Sequence, residues 1–145
     1  MRKIYETEED LQREAAVIKQ IEHSRKVRFL KLPMTWKVDG LILHKDKPFA
    51  WAEIKTRAFN WGEFPDVILS LKKLKAGLLL QKHLQGESGK LDLLFFVSSN
   101  SGIYYTKLRQ ESEYEVKIGG RYKDKRDEYD VERVAHIPIE DFKKL

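Results

Sequence analysis

The sequence predicts an α/β fold in which a mixed sheet is flanked by helices, and three features point to it. Apolar residues recur at helical spacing in two separate segments. Short segments between these alternate apolar and polar residues and are bounded by turn residues, as strands are. Leu91 to Val97 is a continuous apolar run of the kind a strand needs when both its faces are covered. Together these give the order α-β-β-β-α-β-β, within one domain spanning 1–145, with a core over about 7–108 and a C-terminal elaboration over 109–145.

The first helix is expected to start at Thr7, a hydroxyl cap followed by Glu8, Glu9 and Asp10 at the positive end of the helix dipole. It runs to about His23 on the stripe Leu11, Ala15, Ile18 and Ile21. Val27 to Leu32 alternates and reads as a strand stopped by Pro33. Trp36 to Leu43 and Phe49 to Thr56 form a hairpin across the polar turn His44-Lys45-Asp46-Lys47. A long second helix is expected from Pro65 and Asp66 to about Leu84, apolar almost all round and therefore laid against the sheet. Gly86 and Gly89 end it, Leu91 to Val97 follows as the buried strand, and Ile103 to Leu108 pairs with that strand across a Ser-Asn-Gly turn. Beyond Arg109 the expected pieces are a strand near Tyr114 to Ile118, a charged loop over Gly119 to Asp130, and a closing segment through Ile137 and Phe142.

Several function classes are excluded or disfavoured by composition. There is no cysteine, so thiol catalysis and zinc–thiolate sites are out, and a reducing, cytoplasmic setting is the expectation. No apolar run approaches the roughly 20 residues needed to span a bilayer, so no membrane partner is expected. Gly86-Glu87-Ser88-Gly89-Lys90 lacks the spacing of a phosphate-binding loop, and the four histidines show no metal-ligand spacing. The formal charge is +5, and its surplus is concentrated. Lys19 to Lys37 holds six basic residues against Glu22, and Lys72 to Lys90 holds five lysines against Glu87. Such stretches suit a polyanionic partner, with two solvated faces as the alternative.

The chemistry-bearing residues lie in the hairpin. Asp39 sits in Val38-Asp39-Gly40-Leu41-Ile42-Leu43, and Glu53 and Lys55 sit in Trp51-Ala52-Glu53-Ile54-Lys55-Thr56. Alternation puts Glu53 and Lys55 on one face, and the hairpin brings the Asp39 carboxylate towards that of Glu53. Two carboxylates in apolar surroundings need neutralising. A hard divalent cation such as Mg2+, held by one or two carboxylates with waters and substrate phosphate, would do so, and Mn2+ is expected to substitute. The Ile54 carbonyl, between the two side chains, is a further candidate ligand. An internal salt bridge of Lys55 with Glu53 or Asp39 is the competing explanation. On the first helix, Glu14 falls within the apolar stripe and so wants a metal, a lysine or a proton.

A helix bearing Glu14, then Asp39 on one strand and Glu53-x-Lys55 on the next, in α-β-β-β-α-β order, resembles the PD-(D/E)xK nuclease superfamily. The resemblance spans about Thr7 to Val97 and departs at Val38, where many members have proline. It extends to small phage-encoded members through Glu53-Ile54-Lys55-Thr56-Arg57, Ile68-Leu69-Ser70-Leu71-Lys72-Lys73 and the Arg121, Arg126-Asp127 and Ile137-Pro138 tail. It implies a restriction-endonuclease-like core and Mg2+-dependent cleavage of DNA. Asp39, Glu53 and Lys55 would be the catalytic set, with Glu14 as the helix acid that binds metal directly, binds through water, or acts as a base. Glu115-Val116-Lys117 repeats the Glu-x-Lys spacing without that context.

Candidate DNA contacts surround this set. Arg57 directly follows the catalytic strand, Lys72 and Lys73 lie on the predicted second helix, and Arg121 and Arg126 occupy the charged loop. Trp61 offers a ring for an unpaired base, or else plugs the core. A non-catalytic DNA-binding module would bind without metal. A branched-DNA (Holliday junction) resolvase would need a homodimer to cut two strands symmetrically.

Overall fold

The computed structural model describes residues 7–86, 89–120 and 131–145. Helix α1 (Glu8–Arg25) starts as the sequence predicts, with a reciprocal cap. The Asp10 amide donates to Thr7 Oγ1 at 3.1 Å, and the Thr7 amide donates to Asp10 Oδ2 at 3.0 Å. Strands β1 (Arg28–Lys31), β2 (Gly40–His44) and β3 (Lys47–Thr56) follow as an antiparallel meander. Then come β4 (Asp66–Ser70), α2 (Leu71–Leu80) and the two-residue strands β5 (Gln85–Gly86) and β6 (Gly89–Lys90). The chain closes with β7 (Asp92–Ser99), β8 (Gly102–Lys107), β9 (Glu115–Gly120), β10 (Val131–Pro138) and β11 (Lys143–Lys144).

A six-stranded sheet in the order β1-β2-β3-β7-β8-β11 forms the centre, with β3 and β7 parallel and the remaining neighbours antiparallel. Alternation along β3 sorts its residues to two cores. Ala50, Ala52 and Ile54 face α1 with Val17, Ile21 and Phe96. Trp51 faces the other side with Leu93, Phe95 and Val97, where α2 and a second sheet, β4-β10-β9, complete the larger core. This is the mixed sheet flanked by helices that the sequence predicts. Among the described residues no helix is long and apolar enough to cross a membrane.

Three expectations are corrected. The long second helix is two elements: Asp66–Ser70 is a strand pairing with Val134–Pro138, and the helix occupies only Leu71–Leu80. Val67, Leu71, Leu74 and Leu78 do fall at helical spacing, but Val67 and Leu69 also alternate with Ile68, and a strand partner far along the chain decides between the two periods. Strand two begins at Gly40, because a 3-10 turn at Met34–Trp36 and the left-handed backbone of Lys37 (φ 68°) take up the segment before it. On α1 the buried residues are Val17 and Ile21, whereas Leu11 and Ala15 are exposed. The C-terminal stretch is woven into the fold: β10 pairs with β4, and β11 extends the central sheet beside β8.

Candidate active site

Asp39 precedes β2 and continues its pairing with β3. Its amide donates to the Ala52 carbonyl at 3.0 Å, and its own carbonyl accepts from the Leu32 amide at 2.9 Å. The carboxylate Oδ2 accepts from the Ile54 amide at 2.6 Å, doing the work of the next rung of the ladder. A residue's N–H and C=O point to the same edge of a strand, so the Ile54 carbonyl is directed to this same side. The adjacent Gly40 is required for close approach: a Cβ there would run into the Phe29 ring and lie 2.8 Å from the Leu30 carbonyl oxygen.

Glu53 projects from the opposite face to Ile54 and is only 2% exposed. Its Oε1 accepts from Lys73 Nζ at 3.1 Å and lies 3.7 Å from Lys55 Nζ, while Oε2 is buried with no hydrogen-bond partner. Burial first, and the Asp39 charge second, push the Glu53 carboxyl up to about 7, against the pull of Lys73 and Lys55. Lys55 is shifted down, mainly by burial and then by the nearby Lys73 charge. Lys73 is shifted up: burial opposes its charge, but Glu53, Asp39 and Glu14 together outweigh that penalty. The site is therefore a two-carboxylate, two-lysine cluster at the ends of β2 and β3, in which Glu53 is buried and Asp39, Lys55 and Lys73 are partly exposed, with the first turn of α2 supplying Lys73.

The structure brings Asp39, Glu53 and Lys55 together, as the sequence predicts, and Glu14 stays within electrostatic reach of their neighbour Lys73. Helix α1 packs on the sheet face opposite to the one from which Glu53 projects. Glu14 Oε1 lies 3.3 Å from Lys31 Nζ of β1, an ion pair with one of the partner types predicted for this acid. Among the described residues no group of three His, Cys, Asp or Glu side chains is placed to hold a metal ion. The internal Lys55–Glu53 ion pair of the competing explanation is present, and Glu53 Oε2 is left without a hydrogen-bond partner.

Over residues 1–145 the sequence matches the model of the family described as "Phage putative PDDEXK endonuclease". The chain belongs to this family. Comparison with curated proteins and with solved structures gave no match. In this phage endonuclease-family member the remaining predicted contacts fall in different places. Arg57 is half-buried beyond the end of β3, its amide bonded to Ser98, and among the described residues it has no carboxylate partner. Its pKa is shifted down, by burial, with Glu53 opposing. Lys72 is exposed on α2. Lys73, expected either at a phosphate or in solvent, pairs with Glu53. The sequence hides this role, because only the strand-to-helix break at Ser70 aims the helix start at the carboxylates.

Trp61 is packed as a plug. Its ring stacks on Tyr104 at 4.0 Å between centroids and meets Phe142 edge-on at 5.0 Å, which leaves it no free face-to-face platform on that side. Arg121 and Arg126 lie outside the described residues. The repeated Glu115-x-Lys117 spacing is an exposed ion pair of 3.0 Å on β9.

Proposed function

We propose that this chain is a divalent-metal-dependent deoxyribonuclease that hydrolyses DNA phosphodiester bonds at the Asp39–Glu53–Lys55 cluster. The observation that carries this reading is the buried Glu53 carboxylate, charged against Asp39 and left with an unpartnered oxygen. Retaining an orphaned buried acceptor costs about 1–3 kcal/mol and calls for a ligand. Hard oxygen donors suit Mg2+. Asp39 and Glu53 would hold the ion, the Ile54 carbonyl is directed to the same side, and water would complete the set. When bound, the ion lowers the pKa of a water and neutralises charge on the phosphoryl oxygens.

The chain's own residues do the remaining work. Lys73 fixes the Glu53 side chain through Oε1 and leaves Oε2 for another partner. Asp39 is held by the Ile54 amide, which sets its carboxylate before any ligand arrives. Lys55, partly buried beside Glu53, orients the attacking water and stabilises negative charge as that oxygen bonds to phosphorus. The bond from phosphorus to the leaving oxygen then breaks, and that oxygen takes up a proton. Arg57, two residues beyond Lys55 and without a carboxylate partner among the described residues, is available to a neighbouring phosphate. A phage enzyme of this kind meets its DNA in the host cytoplasm.

The test is cleavage of end-labelled single-stranded, duplex and four-way-junction DNA with Mg2+, Mn2+ or EDTA, using wild type, Lys55→Ala and Asp39→Ala. Cutting should require metal, and each substitution should lower it by at least about 100-fold. Junction-selective cutting by a dimer would assign the resolvase subclass. Binding of these DNAs without cutting under any metal condition would overturn the enzyme reading.

A further inference from the structure

An open cleft of about 370 Å3 is walled by Trp36 and Lys37 on one side and by Ala76, Leu79, Leu80 and His83 on the other. This is at the small end of the roughly 300–1,000 Å3 range of ligand clefts. Trp36 lies against the buried Trp51, with ring centroids 6.2 Å apart, yet remains 44% exposed. Leu79, across the cleft, is 55% exposed, and Met34 on the same 3-10 turn is 65% exposed. Apolar side chains this open are not needed by the core. Lys37 is the charged wall residue, Thr35 and His83 are polar, and no carboxylate lines the cleft.

The cleft is tied to the site at both walls. Trp36 is three residues before Asp39, and its stacking partner Trp51 is two residues before Glu53 on the same strand face. Ala76 to Leu80 lie three to seven residues after Lys73 on α2, so roughly 5–10 Å along the helix axis from the lysine that binds Glu53. That distance corresponds to a few nucleotides of a strand whose phosphate is at the carboxylates.

We infer that this cleft receives one unpaired nucleobase of the DNA substrate, stacked on Trp36 between Leu79 and Leu80, with Lys37 and His83 beside its phosphates. This rests on the nuclease reading of the adjacent site. A planar aromatic wall recognises the face of a base, and only an unpaired base presents that face. The absence of a lining acid and the flanking Lys37 ammonium match a polyanionic strand. The chain is accordingly selective for DNA with an unpaired base within a few nucleotides of the scissile phosphate.

The test compares binding of a fluorescein-labelled short duplex with the same duplex carrying a single-thymine bulge, by anisotropy, in EDTA and again in Ca2+. Trp36→Ala should weaken the bulged duplex by roughly 5- to 150-fold while changing the paired duplex less than about twofold. Leu79→Glu, a substitution at an exposed helix position that leaves the core intact, should do the same through repulsion of the strand. Equal losses on both DNAs, no loss on either, or no binding of either by wild type would overturn the proposal. Cleavage of the two DNAs in Mg2+ by wild type and Glu53→Gln, run alongside, reports on the carboxylate site separately. Bulge-selective binding that depends on Trp36 without any cutting keeps the cleft and removes the nuclease reading, whereas cutting with unchanged binding does the reverse.

Discussion

Glu53 concentrates the molecule's chemistry at a single residue, because its carboxyl is pushed up to about 7 by burial and by Asp39. The unfolded chain holds this proton near the ordinary value of 4.5. Between about pH 4.5 and 7 the folded state therefore binds the extra proton, and this group's contribution to stability falls as pH rises through that window. Above it the loss is complete. Metal-free protein should show a declining urea midpoint across this range, and Glu53→Gln should flatten the decline. Metal binding requires the deprotonated carboxylate, so apparent Mg2+ affinity should instead rise through the same window, which calorimetry would read as proton release. Asp39 has two duties that can be separated. Asp39→Asn keeps an oxygen for the Ile54 amide, so it should fold as wild type while losing activity, whereas Asp39→Ala should also cost about 1 kcal/mol in urea unfolding. The Asp39, Glu53 and Lys55 set was legible because period-two alternation and a hairpin turn are local signals. Lys73 was not: its partner depends on how a helix start is aimed, and no local pattern records that.

Elements succeed or fail here according to how close their partners are in sequence. Helix α1 and the β2–β3 hairpin carry their own caps and turns, and both were readable. The β4–α2 segment carries two compatible periods, and its local pattern alone reads as one helix. Its strand half is fixed by β10, more than sixty residues later, and the hydroxyl at the junction, Ser70, donates to Glu132 of that strand at 3.2 Å. Close packing between elements also depends on single glycines. At Gly77 a Cβ would stand 2.6 Å from Leu93 Cδ2, so a side chain there would make Leu93 shift where α2 meets β7. At Gly40 the obstruction includes backbone, which cannot swing aside as a side chain can. Gly40→Ala should therefore cost about 1–3 kcal/mol in urea unfolding. It should also lower cleavage, since the displaced strand end carries Asp39. A wild-type midpoint for this variant would show that β1 and β2 are looser than their packing indicates.

Across the whole molecule, the parallel pairing of β3 with β7 joins the two halves of the chain, and between them β4 and α2 pack on the sheet face that carries Trp51, Leu93 and Phe95. That packing delivers Lys73 to Glu53 and α2 to the Trp36 cleft. The excess of 28 basic over 23 acidic residues predicts DNA binding that weakens with salt. If Arg57 meets a phosphate, Arg57→Ala should reduce the slope of log affinity against log salt by about 1 without changing preference among DNA sequences. An unchanged slope would place Arg57 outside the interface. By itself, the sequence determined the α/β class, the family resemblance and the Asp39, Glu53 and Lys55 set, because these rest on periodicity, turn residues and the order of motifs along the chain. Only the tertiary structure decided that Glu14 is drawn to Lys31, that Trp61 is a plug, that Lys73 completes the carboxylate cluster and that Trp36 faces an open cleft. Each of these depends on which surfaces of distant segments meet, and burial and pairing between such segments leave no periodic trace in the chain.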